Sequence, residues 1–216
     1  MLKRSTIAGL VIAGLFVIYG AGSATVVKQG QESALTGEVA FDPNTVVNKF
    51  WANEASGYFS EKAVDLQTLI SESGGNFATV GSKYGRYSMG DKGELSFVIK
   101  GTGVVEEVKD KLRNGYLALK PDGVDGDYKV RIQIGPVYKG TAVRDSVSKI
   151  SFGDYTNQIE WANISIAFHT LIQKDIVDPV KPSELLGKKL EYTGCFSVEA
   201  NPKLLRVTPV ALKVVE

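Results

Sequence analysis

ELSFVIKGTGVVEEVK, residues 94–109, alternates apolar and polar side chains with the period of two that a β-strand requires, and Gly101 and Gly103 interrupt it. Glycine inside a strand marks a bulge or a bend, so we expect one long strand that changes direction near its middle. Two further alternating runs come next, GYLALK (115–120) and DYKVRIQI (127–134), joined by PDGVDG, a turn rich in Pro, Gly and Asp. Residues 156–177 read as the longest helix after the amino terminus, with Ile159, Ala162, Ile166 and residues 168–172 as an apolar stripe and Asp154 or Thr156 as the cap. KKLEYTGCFSVEA (188–200) and LLRVTPVALKVV (204–215) add two strands around an Asn201-Pro202 turn.

Three strands, a helix and two strands is the order of a five-stranded oligonucleotide/oligosaccharide-binding (OB) barrel, whose first strand is long and bent enough to serve both halves. The fold class expected is therefore mainly β with α. It comprises a five-stranded OB-like barrel over residues 91–216, a helical accessory segment over 41–90 and an amino-terminal membrane helix. In the accessory segment, Asp42 caps a helix that carries Pro43 in its first turn and Val46, Val47, Phe50 and Trp51 on one face. A second helix is expected behind Ser60 as cap, with Ala63, Leu66, Leu69 and Ile70 as its stripe, and a shorter third piece in NFATVGSKYGRYS (76–88).

At the amino terminus, Lys3 and Arg4 precede an uncharged run, residues 5–27, long enough to cross a bilayer as a helix. Positive charge before such a run favours a cytoplasmic terminus and export of the remainder of the chain. Residues 1–27 read either as a retained signal anchor or as a signal peptide with Ala21, Gly22, Ser23 and Ala24 at the cleavage region, and residues 28–40 as a polar linker. The protein is expected to be extracytoplasmic, anchored in the membrane or secreted. With 25 basic and 24 acidic residues the net charge is +1, so no global field draws nucleic acid, and export removes most such partners. One cysteine and one histidine rule out a disulfide framework and make a metal centre improbable; no cofactor is implied.

Five blocks carry a family resemblance: FVIKGTGVV, IGPVYKGTAVRD, ISFGDYTNQIEWA, LLGKKLEYTGCFSV and TPVALKV. In this order they resemble an uncharacterised bacterial family of predicted periplasmic lipoproteins, over roughly residues 38–216. The resemblance implies an exported, tethered protein with an OB-like domain, sometimes encoded near sugar importers, so solute-import components are implied partners. No activity or catalytic residues are established for that family, and the role expected here is that of a membrane-tethered binding or accessory protein. Lipoproteins need a cysteine after the apolar segment, and residues 19–27 hold none, so tethering here would come from the helix itself.

Candidate chemistry concentrates in IGPVYKGTAVRDSVSKISFGDYTNQIEWA, residues 134–162. Gly135-Pro136 should end the third strand. Arg144 and Asp145 sit in a segment expected to be irregular, with Asn157 and Gln158 at the helix entrance. One reading is a polar network pinning the crossover onto the barrel, which the usual pairing of buried polar groups favours. The other is a pocket in which Arg144 grips a sugar or an anion and Asp145, Asn157 and Gln158 bond to hydroxyls. An enzyme built on the same cluster is a further alternative, although nothing in the sequence argues for catalysis. Leu117, Leu119, Tyr128, Val130, Ile132 and Ile134 are expected inward on the second and third strands. That phase leaves Tyr116, Lys120, Lys129, Arg131 and Gln133 outward, as a thin rival face for a polyanion or simply a solvated one. His169 reads as a packed or rim histidine, and Cys195 as a small buried hydrophobe.

Overall fold

The computed structural model describes residues 41–215, and Asp42–Glu216 forms one compact unit. The expected membrane helix and linker, residues 1–40, lie outside the described residues; among those described, no helix is long and apolar enough to cross a membrane.

The element that organises the rest is β3 (Lys92–Lys109). Its first half pairs antiparallel with β6 (Lys189–Ser197), from Ser96↔Ser197 to Val104↔Lys189. Its second half pairs antiparallel with β4 (Asn114–Pro121), from Gly103↔Pro121 to Lys109↔Tyr116. The partner changes at Gly103, where a Cβ would come within 2.5 Å of the Lys120 carbonyl, so only glycine lets the crossing strands approach this closely. The irregularity in the β3–β4 ladder itself falls between Val105 and Glu107, beyond both of the glycines, Gly101 and Gly103, expected to carry it. β5 (Lys129–Pro136) pairs antiparallel with β4, and β7 (Leu204–Val215) lies parallel to β5 and antiparallel to β6. The pairings β3–β4–β5–β7–β6–β3 therefore return to their start in a closed ring, in the strand order expected of an OB fold.

Alternation places Leu117, Leu119, Val130, Ile132, Leu190, Leu205 and Val207 in the core, each at most 2% exposed. Tyr128, expected inward, is only half-buried, because it lies just before β5 begins. Gln133, expected outward, is buried. Residues 137–140 fold back over it, and its amide is fully engaged: Nε2 donates to the Lys139 carbonyl at 3.0 Å and Thr208 Oγ1 at 2.8 Å, while Oε1 accepts from the Lys139 amide at 2.7 Å.

The preceding segment is helical in the main and also supplies strands. α1 (Pro43–Asn53) is capped by Asp42, which accepts from the Asn44 amide at 2.9 Å, and it buries Val47 and Phe50. α2 (Ala55–Lys62) contains Ser60, the expected cap of the next helix. The cap of α3 (Leu66–Ser73) is instead Asp65, accepting from the Thr68 amide at 3.1 Å, because Val64 and Asp65 (β1) are held extended beside Ile99 and Lys100 of β3. A 3₁₀ turn, Phe77–Val80, and α4 (Gly81–Tyr84) lead into β2 (Gly85–Met89), which pairs antiparallel with β3. Between β5 and β6 the chain forms α5 (Ala142–Ser146) and α6 (Gln158–Ile172), the latter running on through one π-helical turn, Gln173–Val177. α6 buries Trp161, Ile164, Ala167, Phe168 and Ile172, while Ile159, Ala162 and Ile166, expected in its stripe, are exposed.

Aromatic side chains join these parts. Phe97 and Phe196, cross-strand partners in β3 and β6, stack at 5.5 Å, and Phe77 meets them at 5.8 and 5.4 Å. Phe50 contacts Phe59 and Phe168 at 6.1 and 6.0 Å, fastening α1 and α2 to α6. Phe77→Ala should therefore lower the stability of the whole unit by about 3–5 kcal/mol, seen as a lower denaturation midpoint at unchanged slope. A variant with normal stability would mean that Phe77 does not fasten this segment to the ring.

Candidate functional site

Every residue of the short helix α5, Ala142 to Ser146, is buried, including two full charges. Arg144 and Asp145 are 6% and 1% exposed and pair with each other: Nε and Nη2 reach Asp145 Oδ1 at 2.8 and 2.7 Å. Arg144 Nη1 donates to the Trp161 carbonyl in α6 at 3.0 Å, and the guanidinium lies 4.0 Å from the Trp161 ring centroid. Asp145 Oδ2 accepts from Thr141 Oγ1 at 2.6 Å. Arg86 in β2 donates Nη1 to the carbonyls of Asp145 and Val147, at 2.6 and 2.9 Å. These groups tie α5 to α6 and to β2. Asn157 and Gln158 are exposed; Asn157 caps α6, accepting from the Ile159 and Glu160 amides at 2.9 Å each, and Gln158 is the first helical residue. The segment expected to be irregular is thus helical at Arg144. Of the four residues considered together, the fold buries Arg144 and Asp145 as a pair and leaves the other two at the surface. Arg144→Ala strands a buried carboxylate, and a loss of about 3–5 kcal/mol is expected whatever ligand is supplied, measured by urea unfolding.

On the outer face of β4 and β5, the Arg131 guanidinium covers the Tyr116 ring at 4.5 Å. Tyr116 also donates to Glu107 Oε2 at 3.2 Å, and Lys109 pairs with Glu107 at 2.9 Å. Lys120 and Lys129 are exposed beside them. The aromatic ring is occupied by its own neighbour, and a carboxylate sits among the cations.

A cleft of about 500 Å³ opens between α2, α4, β2, β3 and the end of α5, within the size range of small-molecule sites. Arg86, Lys62 and Lys83 supply its cations against Glu61, and Tyr58, Ser96 and Ser148 supply hydroxyls. Tyr58 donates to the Ser146 carbonyl at 2.8 Å and accepts from the Ser148 amide at 2.9 Å, so its ring is fixed. Arg86 spends Nη1 on α5; its Nε and Nη2 have no acceptor among the described residues. Lys83 pairs with Glu72 at 2.7 Å and Lys62 with Glu61 at 3.1 Å. Arg86 was invisible to sequence reasoning: it lies in a run read as helical, and its role depends on carbonyls 59 and 61 positions away.

The histidine and cysteine take the places expected of them. Cys195 is fully buried, and burial pushes its thiol up to about 12, so it is no thiolate at neutral pH. His169 stacks on Tyr138 with centroids 4.9 Å apart, and its Nε2 is buried without a partner. Burial first, and the Arg144 charge second, lower its pKa from 6.5 to about 4. The unfolded chain thus takes up this proton first as pH falls, so its contribution is complete above pH 6.5 and is lost between pH 6.5 and about 4. The stability difference between pH 7 and 5 should shrink in His169→Phe, by about 2 kcal/mol at most; an unchanged pH dependence would assign the acid sensitivity elsewhere.

Among solved structures the chain is similar to an OB-fold protein from Thermotoga maritima. The two are 13% identical, with a TM-score of 0.64, matched over 82% of this chain and 100% of that one. Likeness at that identity is likeness of fold, and it agrees with the closed strand ring: the class is an OB-fold protein. The chain belongs to the family described as predicted periplasmic lipoprotein (DUF2291), whose model matches residues 13–213. Its place is accordingly extracytoplasmic, membrane-anchored or secreted. No curated protein matches the chain.

Proposed function

We propose that this protein is an extracytoplasmic binding protein that holds a small anion or a hydroxyl-rich molecule such as a sugar in the Arg86 cleft, without catalysing its conversion. The observation that carries the proposal is Arg86 itself. One nitrogen anchors the guanidinium to two backbone carbonyls, of Asp145 in α5 and of Val147 just after it, and the remaining N–H groups keep the fork geometry that grips carboxylate, phosphate or vicinal hydroxyls. A guanidinium held this way is preorganised, so little side-chain freedom is lost on binding. Arg144 and Asp145 support the cleft from behind, since they fix the helix whose end, through Ser146 and Ser148, forms one wall.

Native mass spectrometry of the full chain extracted from its host membrane, before and after mild denaturation, tests this reading. A copurifying anion or sugar is expected, and reversing the rim charges in Lys62→Glu/Lys83→Glu should reduce its retention at least about tenfold while leaving thermal stability near normal. A bare chain, or retention indifferent to the reversal, would overturn the proposal.

A further inference from the structure

A separate cleft of about 430 Å³ opens where β3, β6, the loop after β4 and the start of α3 meet. Tyr192 of β6 lies against it, 1% exposed, and its hydroxyl is buried without a hydrogen-bond partner. Buried hydroxyls without partners are rare in native proteins, because each loses its water and gains nothing. Tyr192 is the register partner of Gly101, and a Cβ at residue 101 would stand 2.9 Å from that hydroxyl. The hydroxyl can therefore lie over residue 101, at the wall of the cleft, only because residue 101 has no side chain.

The charge around this space is opposite to that of the Arg86 cleft. Asp65, Asp122 and Glu191 line it, against one cation, Lys100. Asp65 uses Oδ1 on the Thr68 amide, and Asp122 uses Oδ2 on Thr102 at 2.7 Å and Lys189 at 2.8 Å. The second oxygen of each, and the whole Glu191 carboxylate, have no donor among the described residues. Burial, with Asp65 and Asp122 nearby, raises the pKa of Tyr192, so the hydroxyl keeps its proton and needs an acceptor.

We infer that this cleft is a second binding site, for a small organic cation that carries a hydroxyl beside an ammonium group, the chemistry of amino alcohols and amino sugars. The ammonium has three N–H donors for the free carboxylate oxygens, and the neighbouring hydroxyl oxygen accepts from Tyr192. A neutral polyol satisfies Tyr192 but leaves the carboxylates uncompensated, and an anion is repelled. The site stands independently of the Arg86 cleft.

Titration calorimetry on the full-length chain in detergent decides the matter, with glucosamine as probe and glucose and inorganic phosphate as comparisons. Glucosamine should bind at least about tenfold more tightly than glucose. Tyr192→Phe should weaken glucosamine binding about tenfold while the ligand-free melting temperature stays level or rises, because the deleted hydroxyl has no partner to lose. Glu191→Gln, at an exposed position, should weaken it as well, and Lys62→Glu/Lys83→Glu should leave it unchanged. Absence of glucosamine binding, equal binding of glucose, or a Tyr192→Phe variant that loses stability but keeps its affinity would overturn the inference.

Discussion

The whole fold depends on one strand having two sets of partners. An antiparallel ladder consumes the backbone donors and acceptors along one edge of a strand, and β3 satisfies β6 with its first half and β4 with its second. That exchange is what returns the sheet to its start, and a closed ring has no long open edge to template aggregation. The cost is steric. Where the two ladders overlap, at Gly103 and Val104, three strands crowd together, and the missing side chain of Gly103 relieves the crowding.

Closing the ring also fixes where polar chemistry can sit. The parallel pairing of β5 with β7 obliges the chain between β5 and β6 to cross over, and that crossover carries α5 and α6. A crossover packed on a sheet buries its polar groups, and the Arg144–Asp145 pair is how this chain keeps them satisfied. With Arg144 and Asp145 paired inside the crossover, the clefts proposed for binding lie at the margins of the ring. One cleft is cationic and is built around the anchored Arg86; the other is acidic and is built around Tyr192. Both take a wall from residues 58–86, so the helical segment shapes the clefts as well as adding to the core.

The strand order, the bend in residues 94–109, the Asp42 cap and the burial of Cys195 were legible in the sequence, because each depends on local periodicity or on the conformational preference of a single residue. The polar segment around Arg144 could be singled out, and pinning the crossover was among its readings. Where the sequence misled, distant chain intervened. Gln133 sits at an outward phase yet is buried, because residues 137–140 cover it. Ser60 resembles a cap but lies inside a helix, because β3 draws Val64 and Asp65 into extended pairing and moves the helix start to Leu66.

The order of the five ring strands and of the long crossover helix follows from apolar period and glycine placement, which are properties of neighbouring residues, and the family, with its compartment, follows from the resemblance of five sequence blocks. What each polar side chain meets is set only when distant segments pack together. Arg86 finds its carbonyls 59 and 61 positions away, and Tyr192 faces Gly101 through the register of the β3–β6 ladder. Contacts of that length arise from closure of the ring, and no window along the chain contains both partners.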